Sequence, residues 1–251
     1  MDTSLYLTIA LGAVVAGFVQ GLSGFAFGLV AMSFWAWTVD PRLAAVLATA
    51  GALTGQLIAA FTVRRGFNKA LLMPFVVGGL IGVPLGVWLL PMLNIQVFKA
   101  CLGTLLVLWC PAMLMSRKLP RVTAGGRWAD AVAGWLGGVC GGIGGFAGAV
   151  PTLWCTLRGM EKDVQRAVVQ NFNLTMLSVA FALQLGTGLV TSDMLPLIAM
   201  VAVCVLVPVL LGARLYIGIS EANFRKIVLG LLTASGVALL ASSLPVLLRN
   251  L

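Results

Sequence analysis

Long stretches with almost no charge recur from one end of this 251-residue chain to the other. A helix rises 1.5 Å per residue, so about 20 apolar residues cross ~30 Å of hydrocarbon. Six stretches have about that length, near 43–63, 70–93, 98–115, 164–190, 194–213 and 227–248. Two others do not fit. Residues 5–39 are too long for one straight crossing and are interrupted by Gly17, Gly21, Gly24 and Gly28. Residues 130–157 contain GGVCGGIGGFAGAVP (137–151), with seven glycines in fifteen residues. Glycine is a poor helix former, and a bilayer offers no water to an unpaired backbone group. A broken helix is tolerated there only when it is buried in protein or lines a cavity.

Composition agrees with a polytopic membrane protein: 61% of residues are hydrophobic and 9% charged, against roughly half and a quarter in soluble domains. The net charge of +9 is scattered through short loops. It reads as the positive-inside bias of a membrane protein, so no nucleic-acid partner is expected. The N-terminus, Met-Asp-Thr-Ser, lacks the basic region of a cleaved signal peptide. The five cysteines lie in apolar surroundings without a CxxC pair and histidine is absent, so neither a metal nor another cofactor is expected.

The polar segment SRKLPRVTAGGRWAD (116–130) divides the chain. Each side has the same grammar, one overlong glycine-broken stretch followed by three ordinary helices. GLSGFAFGLV (21–30) aligns with GIGGFAGAVP (142–151), pairing Gly21 with Gly142, Gly24 with Gly145, Phe25 with Phe146 and Ala26 with Ala147. Val83-Pro84 resembles Val207-Pro208, and Phe98-Lys99 resembles Phe224-Arg225. Weak internal duplication of this kind is common in transporters. The predicted organisation is an all-α polytopic membrane protein: a first transmembrane repeat at 1–116, a cytoplasmic linker at 117–129 and a second repeat at 130–251.

Charge separates inverted from parallel halves. If each broken stretch is a re-entrant hairpin, the halves are inverted. Arg64, Arg65, Lys69, Arg117, Lys118, Arg121, Arg127, Arg158, Lys162, Arg166, Arg214, Arg225 and Lys226 then share the cytoplasmic side, leaving only Arg42, Lys99 and Arg249 outside. If each stretch crosses fully, the basic residues divide equally. The positive-inside rule favours inversion.

With these residues laid out, the chain resembles the TauE/SafE family of sulfite-exporter-like permeases. The likeness rests on Gly142, Gly144, Gly145 and Pro151 in a G-x-G-G-x-x-x-x-x-P pattern, on the degenerate copy at Gly21–Val30, and on the duplicated layout and length. It covers essentially the whole chain. The first copy departs at Ser23, opposite Gly144, and at Val30, opposite Pro151. The resemblance implies a multi-pass protein of the bacterial inner membrane that exports or takes up a small anion such as sulfite or an organosulfonate. It leaves room for a homodimer.

The chemistry at a break fits that expectation. The half-helix after it offers free N–H groups and the positive end of a dipole, and glycine lets an anion approach closely. Ser23, Gly24 and Phe25 would face the anion from one side, and Gly144, Gly145 and Phe146 from the other. The competing role is tight helix packing through the GxxxG pairs Gly17/Gly21, Gly24/Gly28, Gly82/Gly86 and Gly138/Gly142. The 137–148 cluster is denser than one packing face uses.

Neutral polar residues within spans add candidates: Gln170, Asn171 and Asn173 in the segment QNFN, and Gln20 ahead of the first break. Thr49, Thr54, Gln56, Thr175 and Gln184 are weaker ones. The competing role is interhelical hydrogen bonding, worth ~0.6 kcal/mol each. Every acidic residue lies at a span end or in a loop, so no buried proton relay is expected. Arg158 and Arg166 flank the second hairpin, as anchors or as a lure for anions. The leading function is a secondary transporter of a small anion working by alternating access. Alternatives are a carrier for another organic anion and a non-transporting membrane assembly subunit. An enzyme is not expected, because there is no nucleophile–base pair.

Overall fold

Ten α-helices lie among the residues that the computed structural model describes, which are 3–62, 66–115, 121–215 and 221–249, the side chains of 221–225, 227, 231 and 249 excepted. They are α1 (Thr3–Ser23), α2 (Phe27–Trp35), α3 (Pro41–Thr62), α4 (Lys69–Leu89), α5 (Ile95–Met115), α6 (Gly126–Gly144), α7 (Ala149–Leu157), α8 (Lys162–Gly186), α9 (Leu195–Leu215) and α10 (Glu221–Arg249). No strand occurs among the described residues. Seven helices are long and apolar enough to cross a membrane: α1, α3, α4, α5, α8, α9 and α10. The chain is a multi-pass, all-α membrane protein. Arg64, Arg65, Arg117 and Lys118, which enter the expected topology, lie outside the described residues, as do the first residues of the expected linker.

Local chemistry sets the helix ends. The Asp40 carboxylate accepts from the Arg42 and Leu43 amides at 2.9 and 3.4 Å, with Pro41 preset for the first turn of α3. Asn68 and Asn94 do the same for Leu71 and Val97 at 3.2 and 2.8 Å. Gly24 and Gly145 end α1 and α6 at φ +84° and +72°, where an L side chain is strained by roughly 1–2 kcal/mol.

Both overlong stretches are hairpins. Helix α2 turns back along α1 until the Trp35 indole lies against Gly12. Helix α7 turns back along α6, where the Pro151 ring meets Gly137. The open end of this second hairpin is tied: Arg158 donates to Gly126 O and Asp130 Oδ1 at 3.0 and 2.9 Å, and the Trp154 indole N–H donates to Asp130 at 2.7 Å. Asp130 does sit near a helix end, yet it is only 5% exposed. Its charge is buried because Arg158 compensates it.

The glycine cluster of 134–148 divides between two tasks. A methyl on Gly134, Gly138 or Gly142 would strike a carbonyl oxygen of Phe75, Gly79 or Val83, and one on Gly78, Gly82 or Gly86 a carbonyl of Ala131, Trp135 or Val139. Helices α4 and α6 therefore meet backbone to backbone, as GxxxG pairs permit. Helix α1 meets α9 in the same way through Gly17, Gly21 and Gly212. Gly137 and Gly141 let the start of α7 fold back along α6, against Ala147 and Pro151, and Gly144, Gly145 and Gly148 form the break itself.

The contacts also set directions. Gln20 reaches Ala52 and Gly24 reaches Gln56, so α1 and α3 run together. Gly78 to Gly86 track Ala131 to Val139, and Phe75 and Gly79 track Phe172 and Met176, so α4, α6 and α8 run together. Gln184 of α8 bonds Thr49, whereas Gln170 lies with Gln56 at Gly24. Helices α3 and α8 are antiparallel.

Candidate functional site

The two breaks meet at the centre of the protein. Gly28, in the first turn of α2, has no Cβ, and the position one would take lies 2.7 Å from Gly145 O. At Gly148, just before α7, that position lies 2.9 Å from the Phe25 side chain. Each break also rests on the third helix of the other half. Gly24 faces the Gln170 side chain, and Gly145 faces the backbone of Ala48 and Thr49.

The first break is largely satisfied by its own surroundings. The Ser23 hydroxyl, exposed, accepts from the Phe25 and Ala26 amides at 3.4 and 3.2 Å. Gly24 O accepts from Gln56 Nε2 at 2.6 Å, and Gln20 Nε2 donates to Ala52 O at 2.9 Å. Phe25 stands edge-on to Trp109 with centroids 5.7 Å apart, and the Trp109 indole N–H donates to Ala149 O at 2.7 Å. That pair ties the first break to the start of α7.

The second break is more enclosed. Gly144, Gly145 and Phe146 are buried, the last folded back over Gly144. Asn173, 1% exposed, packs against Gly148 with neither its amide nitrogen nor its oxygen hydrogen-bonded. Such an atom costs about 1–3 kcal/mol relative to a paired one.

Beside the first break runs a narrow cleft, partly open to solvent. Gln20, Gly21 and Gly24 form its inner wall, with Gly55, Gln56 and Gln170. Ala59, Thr62, Arg166 and Ala213 lead outward past the ends of α3 and α9. On the far side of the breaks Gln184 Nε2 donates to Thr49 Oγ at 3.2 Å, both side chains being fully buried.

Of the residues singled out in the sequence, Gln20, Gly24 and Gln170 line the cleft, and Phe25, Gly145 and Asn173 gather where the breaks meet. Ser23, Gly144 and Phe146 belong to the breaks themselves. Asn171 is not brought to them: its amide donates to Gly66 O at 3.3 Å, toward the loop after α3. Arg158 is the anchor of the second hairpin, whereas Arg166 reaches the cleft. Gln56, a weaker candidate in the sequence, also lines the cleft and bonds Gly24 O; a lone amide in an otherwise apolar helix is its signal.

Neutral amides and one arginine at the mouth suit a small anion better than a cation, because no acidic side chain is found among the described residues that line the cleft. A family model described as sulfite exporter TauE/SafE matches residues 9–239. No curated protein and no solved structure gave a match. The chain belongs to the TauE/SafE family, whose members are membrane transporters of the sulfite or anion type rather than enzymes.

Proposed function

We propose that this protein is a secondary transporter for a small anion, sulfite or an organosulfonate, in the bacterial inner membrane. The anion is held where the two glycine breaks meet, by Gln20, Ser23, Gly24 and Phe25 on one side and Gly144, Gly145, Phe146, Gln170 and Asn173 on the other. The observation that carries this reading is the meeting itself: Gly28 abuts Gly145, Gly148 abuts Phe25, and the cleft leads from Gly24 past Arg166. Asn171 drops out of the binding set, since its amide is engaged elsewhere.

The two halves lie inverted in the bilayer and expose the site alternately to either face. Support comes from the opposite running of α3 and α8 and from the hairpin form of both breaks. In that orientation the cleft mouth, with Arg166, faces the cytoplasm. A membrane potential then favours export, since an anion leaving a cell that is negative inside gains ~2.3 kcal/mol per charge per 100 mV.

The test is purified protein in proteoliposomes given labelled sulfite and a panel of sulfonates, with and without potential and ion gradients. Saturable movement of a sulfur oxyanion, faster under a potential that drives it out, is the expected result. A well-folded protein that moves none of them would end the proposal. Reporter fusions at Thr191–Asp193 should lie outside the cell; a cytoplasmic location would reject the inversion.

A further inference from the structure

Gln20 carries an unmet chemical demand, and we infer from it that the transported anion must itself bring a hydrogen-bond donor. The inference rests on the anion-transport reading above and narrows its substrate class. Gln20 lies one turn before the first break, is 3% exposed and lines the cleft. Its Nε2 donates to Ala52 O at 2.9 Å. A carbonyl can only accept, so this bond fixes which way round the amide sits. The oxygen, Oε1, is therefore turned onto Gly55, another residue of the cleft wall. There it is buried and has no hydrogen-bond partner.

The surrounding wall does not answer it. Gly21, Gly24 and Gly55 have no side chains, and the Gln56 amide nitrogen, which donates to Gly24 O at 2.6 Å, makes no hydrogen bond to Oε1. Buried acceptors are nearly always paired, and the cleft is the side from which a donor can arrive. A metal cation would also satisfy an oxygen, but the described residues that line the cleft include an arginine and no carboxylate. A fully deprotonated oxyanion brings only acceptors and would meet Oε1 oxygen to oxygen. A monoanion with one O–H or N–H fits both needs. Its charged oxygens lie toward the Gln170 amide and the break, and its donor lies toward Gln20. Hydrogen-bearing oxyanions and hydroxy- or aminoalkanesulfonates have that character.

The experiment uses two probes of equal charge and nearly equal size, 2-hydroxyethanesulfonate and 1-propanesulfonate, which differ by a hydroxyl in place of a methyl. In proteoliposomes the hydroxyl probe should be transported with about tenfold greater efficiency or more, the consequence of leaving one buried acceptor unpaired by the other probe. Gln20→Met should bring the ratio close to one, whatever its effect on the absolute rates. Equal transport of the two probes by the unaltered protein overturns the inference, whether a resident water or sodium serves Oε1 instead. That ratio needs no variant, so it stands even if Gln20→Met folds poorly. Failure to move either probe, or sulfite, would remove the transport reading and the inference with it.

Discussion

Gly24 and Gly145 occupy matching positions, both at positive φ, yet their surroundings treat them differently. A Cβ on Gly24 would press on the Gln170 side chain, which can move; one on Gly145 would sit 2.8 Å from the backbone of Ala48 and Thr49, which cannot. At the first break a serine hydroxyl takes two amides, and the Val30 amide donates to Ala26 O at 3.1 Å. At the second, Gly144 replaces the serine because Phe146 folds over it, and any Cβ there would strike the ring. Pro151 replaces Val30 and so removes one amide that the turn would otherwise have to satisfy. The first break is thus self-sufficient and lies beside the cleft. The second is enclosed and leaves Asn173 unpaired. Two copies of one motif have diverged: the first satisfies its backbone amides with Ser23 and leaves the Gln20 oxygen open beside it, and the second leaves both polar atoms of Asn173 open.

The largest test of this contrast is the pair Gly24→Ala and Gly145→Ala. Both carry the positive-φ strain of roughly 1–2 kcal/mol, but only the second also forces α3 aside. Gly145→Ala should lower folded yield and thermal midpoint in detergent well below Gly24→Ala, and Gly145→Leu should abolish transport. Equal losses from the two alanines would break the comparison. Next in size is Asn173→Leu, a swap of similar volume that removes two unpaired polar atoms. Its thermal midpoint should stay level or rise, while transport falls by about tenfold or more. A lower midpoint with normal transport would make Asn173 structural. Smallest is Ser23→Ala, expected to cost about 0.5–2 kcal/mol as a lost cap. Calorimetry should find that loss, whereas no loss would deny the first break its self-sufficiency.

The helices were legible because length and hydropathy leave little freedom to a chain in lipid. The six spans expected as ordinary crossings correspond to α3, α4, α5, α8, α9 and α10, and α1 adds a seventh helix of spanning length. The division of labour among glycines was harder to read. Gly138, which packs on α4, and Gly145, which turns the chain, look alike until the helix opposite is known. Asn171 and Asn173 illustrate the same limit at finer grain. Gln170 and Asn173 are three apart and share a helix face, while Asn171 falls about 100° away. That spacing is present in the sequence and separates the pair that faces the breaks from Asn171. The orphaned oxygen of Gln20 was not available, since it depends on which carbonyl the amide nitrogen finds.

The backbone-level seams between α4 and α6 and between α1 and α9 have a mechanical consequence. Each joins a helix from one half of the chain to a helix from the other, too closely for either to slide freely. Helices α1, α2, α3 and α9 hold together as one body, and α4, α6, α7 and α8 as a second. In the proposed alternating access the parts that rock would therefore not be the halves written in the sequence but these exchanged sets, which meet along α3 and α8. Cutting the gene at its midpoint would divide both moving bodies rather than separate them.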